Sequence, residues 1–276
     1  MSEQKNLYFN YKNTSSYYAI NGTGEPIVFL HGFGLNSQIW MHQVDALSNS
    51  YTCILIDLPG FGKSTINEQD YTYNDSKNLD SLSFYADWLS AFLAFLNLKN
   101  YTIVAHSLGG YITLEFAATN ISALKGLVLI HSSCFADDDF KKTNRRKAID
   151  FIRKYGAKKF ITYTTPHLIS TQTKLNSVNN LSILKSTQVS ANDDACIHYT
   201  NAMMNRKNTS NVLLQLNIDV CIIAGKEDNI TPLSEVIQQV YLPKCCYFNV
   251  LLNVAHLGML EQPNTVNKIL LQYINR

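Results

Sequence analysis

The chain has 276 residues, which at about 150 residues per domain allows one large domain or a domain carrying one insertion. Hydrophobic residues make up 46% and charged residues 16%, a balance too apolar for intrinsic disorder. The net charge of +2 argues against a nucleic-acid binder, whose domains gather a strongly basic balance on one face.

The start, MSEQKNLYFNYKN, lacks the apolar centre of a secretory signal. No apolar run approaches the roughly 18 residues of a membrane span, so no membrane span is expected and the cytoplasm is the expected setting. Runs at Leu7–Tyr11 and Tyr17–Ile20, separated by a polar Asn-Thr-Ser stretch, read as an edge hairpin. Downstream, β-rich apolar runs at Ile27–His31, Tyr51–Ile56, Tyr101–Ala105, Leu127–His131, Val220–Ala224 and Tyr247–Leu252 alternate with helical spacing at about 37–48, 79–97, 108–119, 233–241 and 264–274. That alternation predicts an α/β fold, a mostly parallel sheet flanked by helices on both faces.

The alternation stops between Cys134 and about Ser210, where Lys, Asn, Ser and Thr replace the β-branched runs. The chain therefore divides into a first core part over 1–133, an inserted helical cap over 134–210 and a second core part over 211–276. Open α/β sheets bind ligands at the carboxyl ends of their strands, so an insertion following a strand would cover the site. Six cysteines, at 53, 134, 196, 221, 245 and 246, form no C-x-x-C pair and have no His at metal-ligand spacing. Neither a metal nor a disulfide framework is expected.

The most informative stretch is Tyr101-Thr-Ile-Val-Ala105-His106-Ser107-Leu108-Gly109-Gly110, an apolar strand running through a Ser flanked by small residues into a helix. It reads as a nucleophile elbow, in which a strained turn exposes the Ser hydroxyl at the helix start and demands small side chains two residues either side. A serine hydroxyl is a weak nucleophile at neutral pH, so it needs a His as base and a carboxylate to hold that His in one tautomer.

Of the seven histidines, His256 alone follows the last strand, in the chain order Ser, acid, His. His31 reads as a brace for the loop after its strand, His106 as pointing away from Ser107, and His131 as a pocket-lining group. His42, His167 and His198 read as solvated or pocket-lining. Gly225-Lys-Glu-Asp228 follows a strand and offers two acids, Glu227 and Asp228, while Asp137 lies beyond the Leu127–His131 strand. The tetrahedral oxyanion needs two backbone donors. The Leu108 amide is one, and the His31-Gly32-Phe33-Gly34 loop can supply the Phe33 amide. The substrate would then meet His31, Gly32, His106 and His131. No G-x-G-x-x-G follows a strand, and Gly60-Phe-Gly62-Lys-Ser lacks phosphate-loop spacing, so no cofactor is expected.

With His31-Gly-Phe-Gly34, Asp57-Leu-Pro-Gly-Phe-Gly-Lys-Ser64, Ala105-His-Ser-Leu-Gly-Gly110, Gly225-Lys-Glu-Asp228, Pro232, His256 and Glu261-Gln-Pro263, the chain resembles the α/β-hydrolase superfamily over nearly its whole length. It is most similar to the serine esterase-like branch of carboxylesterases, enol-lactonases and pimeloyl-acyl carrier protein methyl esterases. It departs from the usual elbow by Ala105 in place of the first Gly. The resemblance implies an eight-stranded sheet with a helical cap, a Ser107–Asp228–His256 triad, and an oxyanion hole from Phe33 and Leu108. Related epoxide hydrolases and haloalkane dehalogenases use an Asp nucleophile, which Ser107 excludes. Carbon–carbon bond hydrolases commonly carry Trp where Leu257 stands, and perhydrolases Met where Leu108 stands. Hydrolysis of a carboxylic ester, thioester or lactone is the expectation. The alternative of another class is a ligand-binding receptor with little turnover.

Asp137–Lys159 holds nine Lys or Arg against four Asp, a local balance of +5. Lys142, Arg146, Lys154 and Lys158 recur at multiples of four, so one helix would gather them on a side while Ala148, Ile152 and Tyr155 pack inward. A solvated face is one reading. The other is a docking site for an anionic partner such as an acidic acyl carrier protein.

Overall fold

The computed structural model describes residues 7–66, 79–120, 124–176, 184 and 192–276. The polar start at residues 1–6 and parts of the segment expected to form an inserted cap lie outside the described residues. Among them, β1 (Leu7–Tyr11), β2 (Thr14–Asn21), β3 (Glu25–Leu30), β4 (Tyr51–Ile56), β6 (Tyr101–His106), β7 (Leu124–Ile130), β8 (Val220–Gly225) and β9 (Cys246–Leu251) form one sheet. Their order is β1-β2-β4-β3-β6-β7-β8-β9. The hairpin β1–β2 and the β2–β4 pair are antiparallel, and every pairing from β4 through β9 is parallel. A ninth strand, β5 (Thr65–Ile66), pairs with β2; two residues are too few to leave an alternation in the sequence.

Residue alternation along the strands creates two separate cores. Val28, Leu30, Ile54, Ile56, Ile103, Ala105, Leu127, Leu129 and Ile222 face one side. There they meet α2 (Leu82–Phe95), through Trp88 and Phe92, and α3 (Leu108–Ala117), through Ile112 and Phe116. Their sequence neighbours Ile27, Phe29, Cys53, Leu55, Val104, Val128 and Ile223 face the other side. That side is closed by Trp40 of a 3₁₀ turn (Ser37–Trp40), Leu47 of α1 (Met41–Leu47) and the C-terminal helix (Pro263–Ile274) through Val266 and Leu270. Period-2 side chains that are apolar on both phases require cover on both faces. Cys53, Cys134, Cys196 and Cys221 are buried free thiols, and burial pushes each up to about 12.

β3 lies between β4 and β6, so the chain leaves β3 in one direction and resumes on its other side. This reversal opens a crevice at the carboxyl ends of β3 and β6, the place where open α/β sheets bind ligands. Between β7 and β8 the described residues hold only helices: α4 (Asp139–Tyr155), α5 (Ala157–Thr164), a 3₁₀ turn (Thr165–His167), α6 (Thr171–Asn176), α7 (Asp193–Met204) and α8 (Ser210–Gln215).

The basic segment is not one helix. It breaks at Gly156, whose φ of 84° suits glycine alone. The Gly156 amide closes α4 on the Ile152 carbonyl at 2.8 Å, and Asp193 Oδ1 accepts from the Ala157 amide at 2.7 Å to open α5. Lys158 therefore leaves the face of Lys142, Arg146 and Lys154. Ile149 and Ile152 pack inward, whereas Tyr155 is exposed, its ring tilted against Phe151 and overlaid by the Lys154 and Lys159 ammonium groups.

Candidate active site

Strand β6 ends at His106 and α3 begins at Leu108, leaving Ser107 as the single joint with φ 49° and ψ −114°. That is a strained backbone for a residue with a Cβ. The turn is held because the Ser107 amide continues the sheet ladder to the Ile130 carbonyl at 3.0 Å. Small neighbours are mandatory here. A Cβ on Gly109 would lie 2.7 Å from the Leu30 carbonyl oxygen, and one on Gly110 would lie 2.2 Å from Ser132 Oγ.

Ser107 Oγ lies 3.0 Å from His256 Nε2, and His256 Nδ1 lies 2.7 Å from Asp228 Oδ2. All three residues are buried. The His256 loop is pinned by its amide donating to the Leu168 carbonyl at 3.0 Å. Glu261 Oε1 adds a brace by accepting from the amides of Ala255 and Leu257. Asp228 Oδ2 also accepts from Thr231 Oγ1 at 2.8 Å and His131 Nδ1 at 3.1 Å, while Oδ1 accepts the amides of Ile230 and Thr231. Burial alone would raise this carboxyl. The imidazoles of His256 and His131 outweigh burial and hold it well below the usual carboxylate range. Glu227, the other acid in this segment, is exposed.

Two further histidines surround the trio. His131 Nε2 accepts from the Gly258 amide at 3.0 Å, which leaves its proton on Nδ1 facing Asp228. His106 Nε2 faces the His256 carbonyl at 2.9 Å and must carry the proton there, so its Nδ1 is a bare acceptor, buried and without a hydrogen-bond partner among the described residues. Burial keeps both rings neutral, lowering His131 and, with the neighbouring His256 and His131 rings, lowering His106 well below its ordinary value. The ligand atoms of His131, Asp228 and His256 lie within 4.8 Å of one another, near enough to hold a metal ion. Binding one would require His131 to move its proton onto Nε2, against the Gly258 N–H, so the trio suits a hydrogen-bonded relay better.

The loop after β3 runs directly over the serine: a Cβ on Gly32 would lie 2.5 Å from His106 Nδ1 and 3.3 Å from Ser107 Cβ. His31 anchors this loop through Nδ1 to the Gly32 carbonyl at 2.8 Å and through Nε2, which accepts from the Leu58 amide at 2.9 Å. Among the described residues the amides of Phe33 and Leu108 donate to no protein acceptor, and both residues adjoin Ser107 through this loop and α3. Two free donors beside a hydroxyl–imidazole pair are suited to receiving an oxyanion.

A pocket of about 140 Å³ opens over Ser107 and His256, walled by Phe33, Tyr111, Phe160, Ile161, Leu168 and Met203. His106 lines it, so the expectation that this ring points away from the serine is corrected: its Nε2 bond to the His256 carbonyl turns it toward the site. His31, Gly32 and His131, expected to meet substrate, do not line the pocket. Their rings and backbone are spent on the loop, on Leu58 and on Asp228 and Gly258. Sequence reading missed Glu261 and Thr231 as braces. It also missed an ionic group of Asp137, Arg145 and Arg206, the last of which lies far from the other two in the chain.

A family profile described as alpha/beta hydrolase fold matches residues 25–263. The (E)-2-((N-methylformamido)methylene)succinate hydrolase of Acinetobacter baylyi is 29% identical over 119 residues, 43% of this chain and 42% of that protein. The pimeloyl-[acyl-carrier protein] methyl ester esterase of Wigglesworthia glossinidia brevipalpis is 32% identical over 123 residues, 44% of this chain and 42% of that protein. These matches thus span less than half of either curated relative. Among solved structures, a thermophilic esterase from Thermogutta terrifontis (malate bound) superposes with TM-score 0.88 at 23% identity, covering 98% of both chains. The enol-lactonase from Burkholderia xenovorans LB400 gives 0.86 at 14%, covering 98% of this chain and 100% of that one. At such identities the superpositions speak for the fold. With its sheet order, its helices on both faces and the profile match across the core, the chain belongs to the alpha/beta hydrolase fold family.

Proposed function

We propose that this protein hydrolyses a carboxylic ester, thioester or lactone through an acyl-enzyme on Ser107. The observation that carries the reading is the unbroken chain of contacts from Ser107 Oγ through His256 to Asp228, at 3.0 and 2.7 Å. In this mechanism Ser107 Oγ attacks the acyl carbon as His256 Nε2 takes its proton. The Phe33 and Leu108 amides bind the resulting oxyanion. His256 then protonates the leaving alcohol as its bond to carbon breaks. Water, deprotonated by the same Nε2, attacks the acyl-enzyme and releases the acid with Ser107 restored. Asp228 stabilises the imidazolium formed in both halves, and the insertion acts as a cap that walls the acyl pocket. The esterase and lactonase relatives support the same class. A fluorophosphonate probe should add once, to Ser107, as mapped by mass spectrometry. A label on another residue, or none in protein that turns over esters, would sink the assignment.

A second element of the reading concerns delivery of the substrate. Arg146, Lys147, Arg153, Lys154, Lys158 and Lys159 are exposed on α4 and α5, and Ala148, Phe160 and Ile161 of the same helices reach the pocket. We propose that this basic surface docks an acidic acyl carrier protein, as the esterase relatives acting on such a carrier suggest. If so, changing Arg146 and Arg153 to Glu lowers kcat/KM for a carrier-borne ester and removes its salt dependence, while a small soluble ester is unaffected. An unchanged rate on the carrier would rule the docking out.

A further inference from the structure

Of the three arginines on α4, Arg145 behaves differently from Arg146 and Arg153. Its side chain is 25% exposed, and it lines the pocket that holds Ser107 and His256. Among the described residues it is the only Lys, Arg, Asp or Glu in that lining. Its Nε donates to Asp137 Oδ2 at 3.1 Å. The other oxygen of Asp137 lies 2.6 Å from Arg206 Nη1, an ion pair without hydrogen-bond geometry. Arg206 is turned away from the pocket lining, donating to the carbonyls of Phe135 and Met203 and lying 4.2 Å over the Tyr111 ring. One buried carboxylate thus serves two guanidiniums, leaving the group with a surplus of one positive charge.

Glu235, which like Arg206 lies near Cys134, does not cancel it, because it is paired with Lys141. A guanidinium carries five N–H donors, and among the described residues Arg145 spends one, at Nε. The forked Nη pair is the uncommitted part. The hydroxyls of the polar lining residues Thr164 and Thr200 are already donated to carbonyls one turn back. Besides the reacting groups, the proposed oxyanion donors and the neutral Tyr111 hydroxyl, the described lining residues offer one charged donor set, the fork of Arg145. It is planar, cationic and matched to a carboxylate.

We infer that the site takes esters that carry a free carboxylate, held by the Nη fork of Arg145 while the ester bond sits at Ser107. This rests on the hydrolase reading above and narrows it to one substrate class. The carboxylate could belong to the acyl part, as in a half-ester of a dicarboxylic acid, or to the alcohol part, as in the acetyl ester of a hydroxy acid. The experiment separates these sources.

Hydrolysis of monoethyl adipate is compared with ethyl hexanoate, and O-acetyl-4-hydroxybutyrate with butyl acetate, by pH-stat titration on the wild type, Arg145→Lys and Arg145→Gln. The wild type should favour the carboxylate member of one pair by about tenfold or more in kcat/KM, the worth of a charge-assisted contact in a partly exposed site. Arg145→Gln should collapse that ratio, chiefly through KM, with Arg145→Lys intermediate. A wild-type ratio near one in both pairs, or a ratio unmoved by Arg145→Gln, overturns the inference. If the wild type hydrolyses none of the four, the hydrolase reading fails instead. Calorimetric titration of adipate then still decides the carboxylate site: binding to the wild type that Arg145→Gln weakens about tenfold upholds it, and equal or absent binding refutes it.

Discussion

Replacing Asp228 by Asn tests the relay without changing its shape. The native carboxylate accepts from His256, His131 and Thr231 Oγ1 at Oδ2 and from two backbone amides at Oδ1. An amide has one acceptor end. If that end faces the amides of Ile230 and Thr231, the NH₂ end meets two imidazole N–H groups. His256 can escape by moving its proton to Nε2, which sets an N–H against Ser107 Oγ and removes the base. His131 has no such escape, because its Nε2 already accepts the Gly258 amide. If the Asn is turned the other way, its NH₂ confronts two backbone N–H groups instead. Each orientation leaves at least one buried donor unpaired, at about 1–3 kcal/mol. The wrong-tautomer state of such a relay costs about 10⁴-fold in kcat. Asp228→Asn should therefore lose about 10³- to 10⁴-fold in kcat on a p-nitrophenyl ester, and about 1–3 kcal/mol in urea unfolding. Activity within tenfold of the wild type would refute the relay, and unchanged stability would refute the argument about His131.

Three other outcomes follow from the same geometry. Gly32→Ala places a methyl 2.5 Å from His106 Nδ1, so kcat/KM should fall at least about tenfold with a stability loss of about 1–3 kcal/mol, as for an overpacked core; full activity would show that the loop can retreat. Ser107→Gly should abolish turnover yet stabilise the fold by about 1 kcal/mol, since relief of φ 49° outweighs the added chain entropy. A destabilised variant would mean that the turn is unstrained. His31, His106 and His131 are all lowered by burial, so below about pH 6.5 the unfolded chain binds protons that the folded one refuses. Stability should hold above that pH and decline as it falls further. Asp228, also lowered, adds a second decline below about pH 4 that Asp228→Asn lacks. Urea midpoints that stay flat between pH 7.5 and 5.5 would contradict the neutral buried histidines.

The sheet was legible in the sequence because both faces of each central strand are covered, so Val28, Ile54, Ile103 and Ile222 and their neighbours read as continuous apolar runs. Ser107, Asp228 and His256 could be placed by similar logic, each following a strand that ends on the same rim. What stayed hidden depends on the third dimension. Charge at helical spacing predicted one basic face on α4, yet a single glycine turned the chain and separated Lys158 from Lys142. Arg145 and Arg146 are neighbours in sequence, but a 100° rotation per residue directs one into the pocket and the other into solvent. The partner that sorts them, Asp137, is reached only once the chain has turned after β7. His131 was visible as the end of a strand, but that it shares Asp228 with His256 could not be read from spacing.

The strain in the site has a common placement. Ser107, His131 and Asn253 have φ of 49°, 50° and 56°, and they follow β6, β7 and β9, the strands that lead to the proposed nucleophile, to the second imidazole on Asp228 and to His256. Isolated turns with such backbones would relax, because each costs about 1–3 kcal/mol. Here the ladder runs past two of the strand ends: the Ser107 amide bonds the Ile130 carbonyl and the His131 amide bonds the Ile223 carbonyl, at 3.0 and 2.9 Å. After β9 the Leu251 carbonyl accepts the Lys226 amide and the Val254 carbonyl accepts the Glu227 amide, both at 2.9 Å, so the Asn253 turn is fastened to the Asp228 segment. The parallel sheet is therefore more than a scaffold beneath the site. Its hydrogen bonds hold the strained joints, and the joints aim three side chains at one point, so a variant that loosens the ends of β6 or β7 should lose activity before it loses its fold.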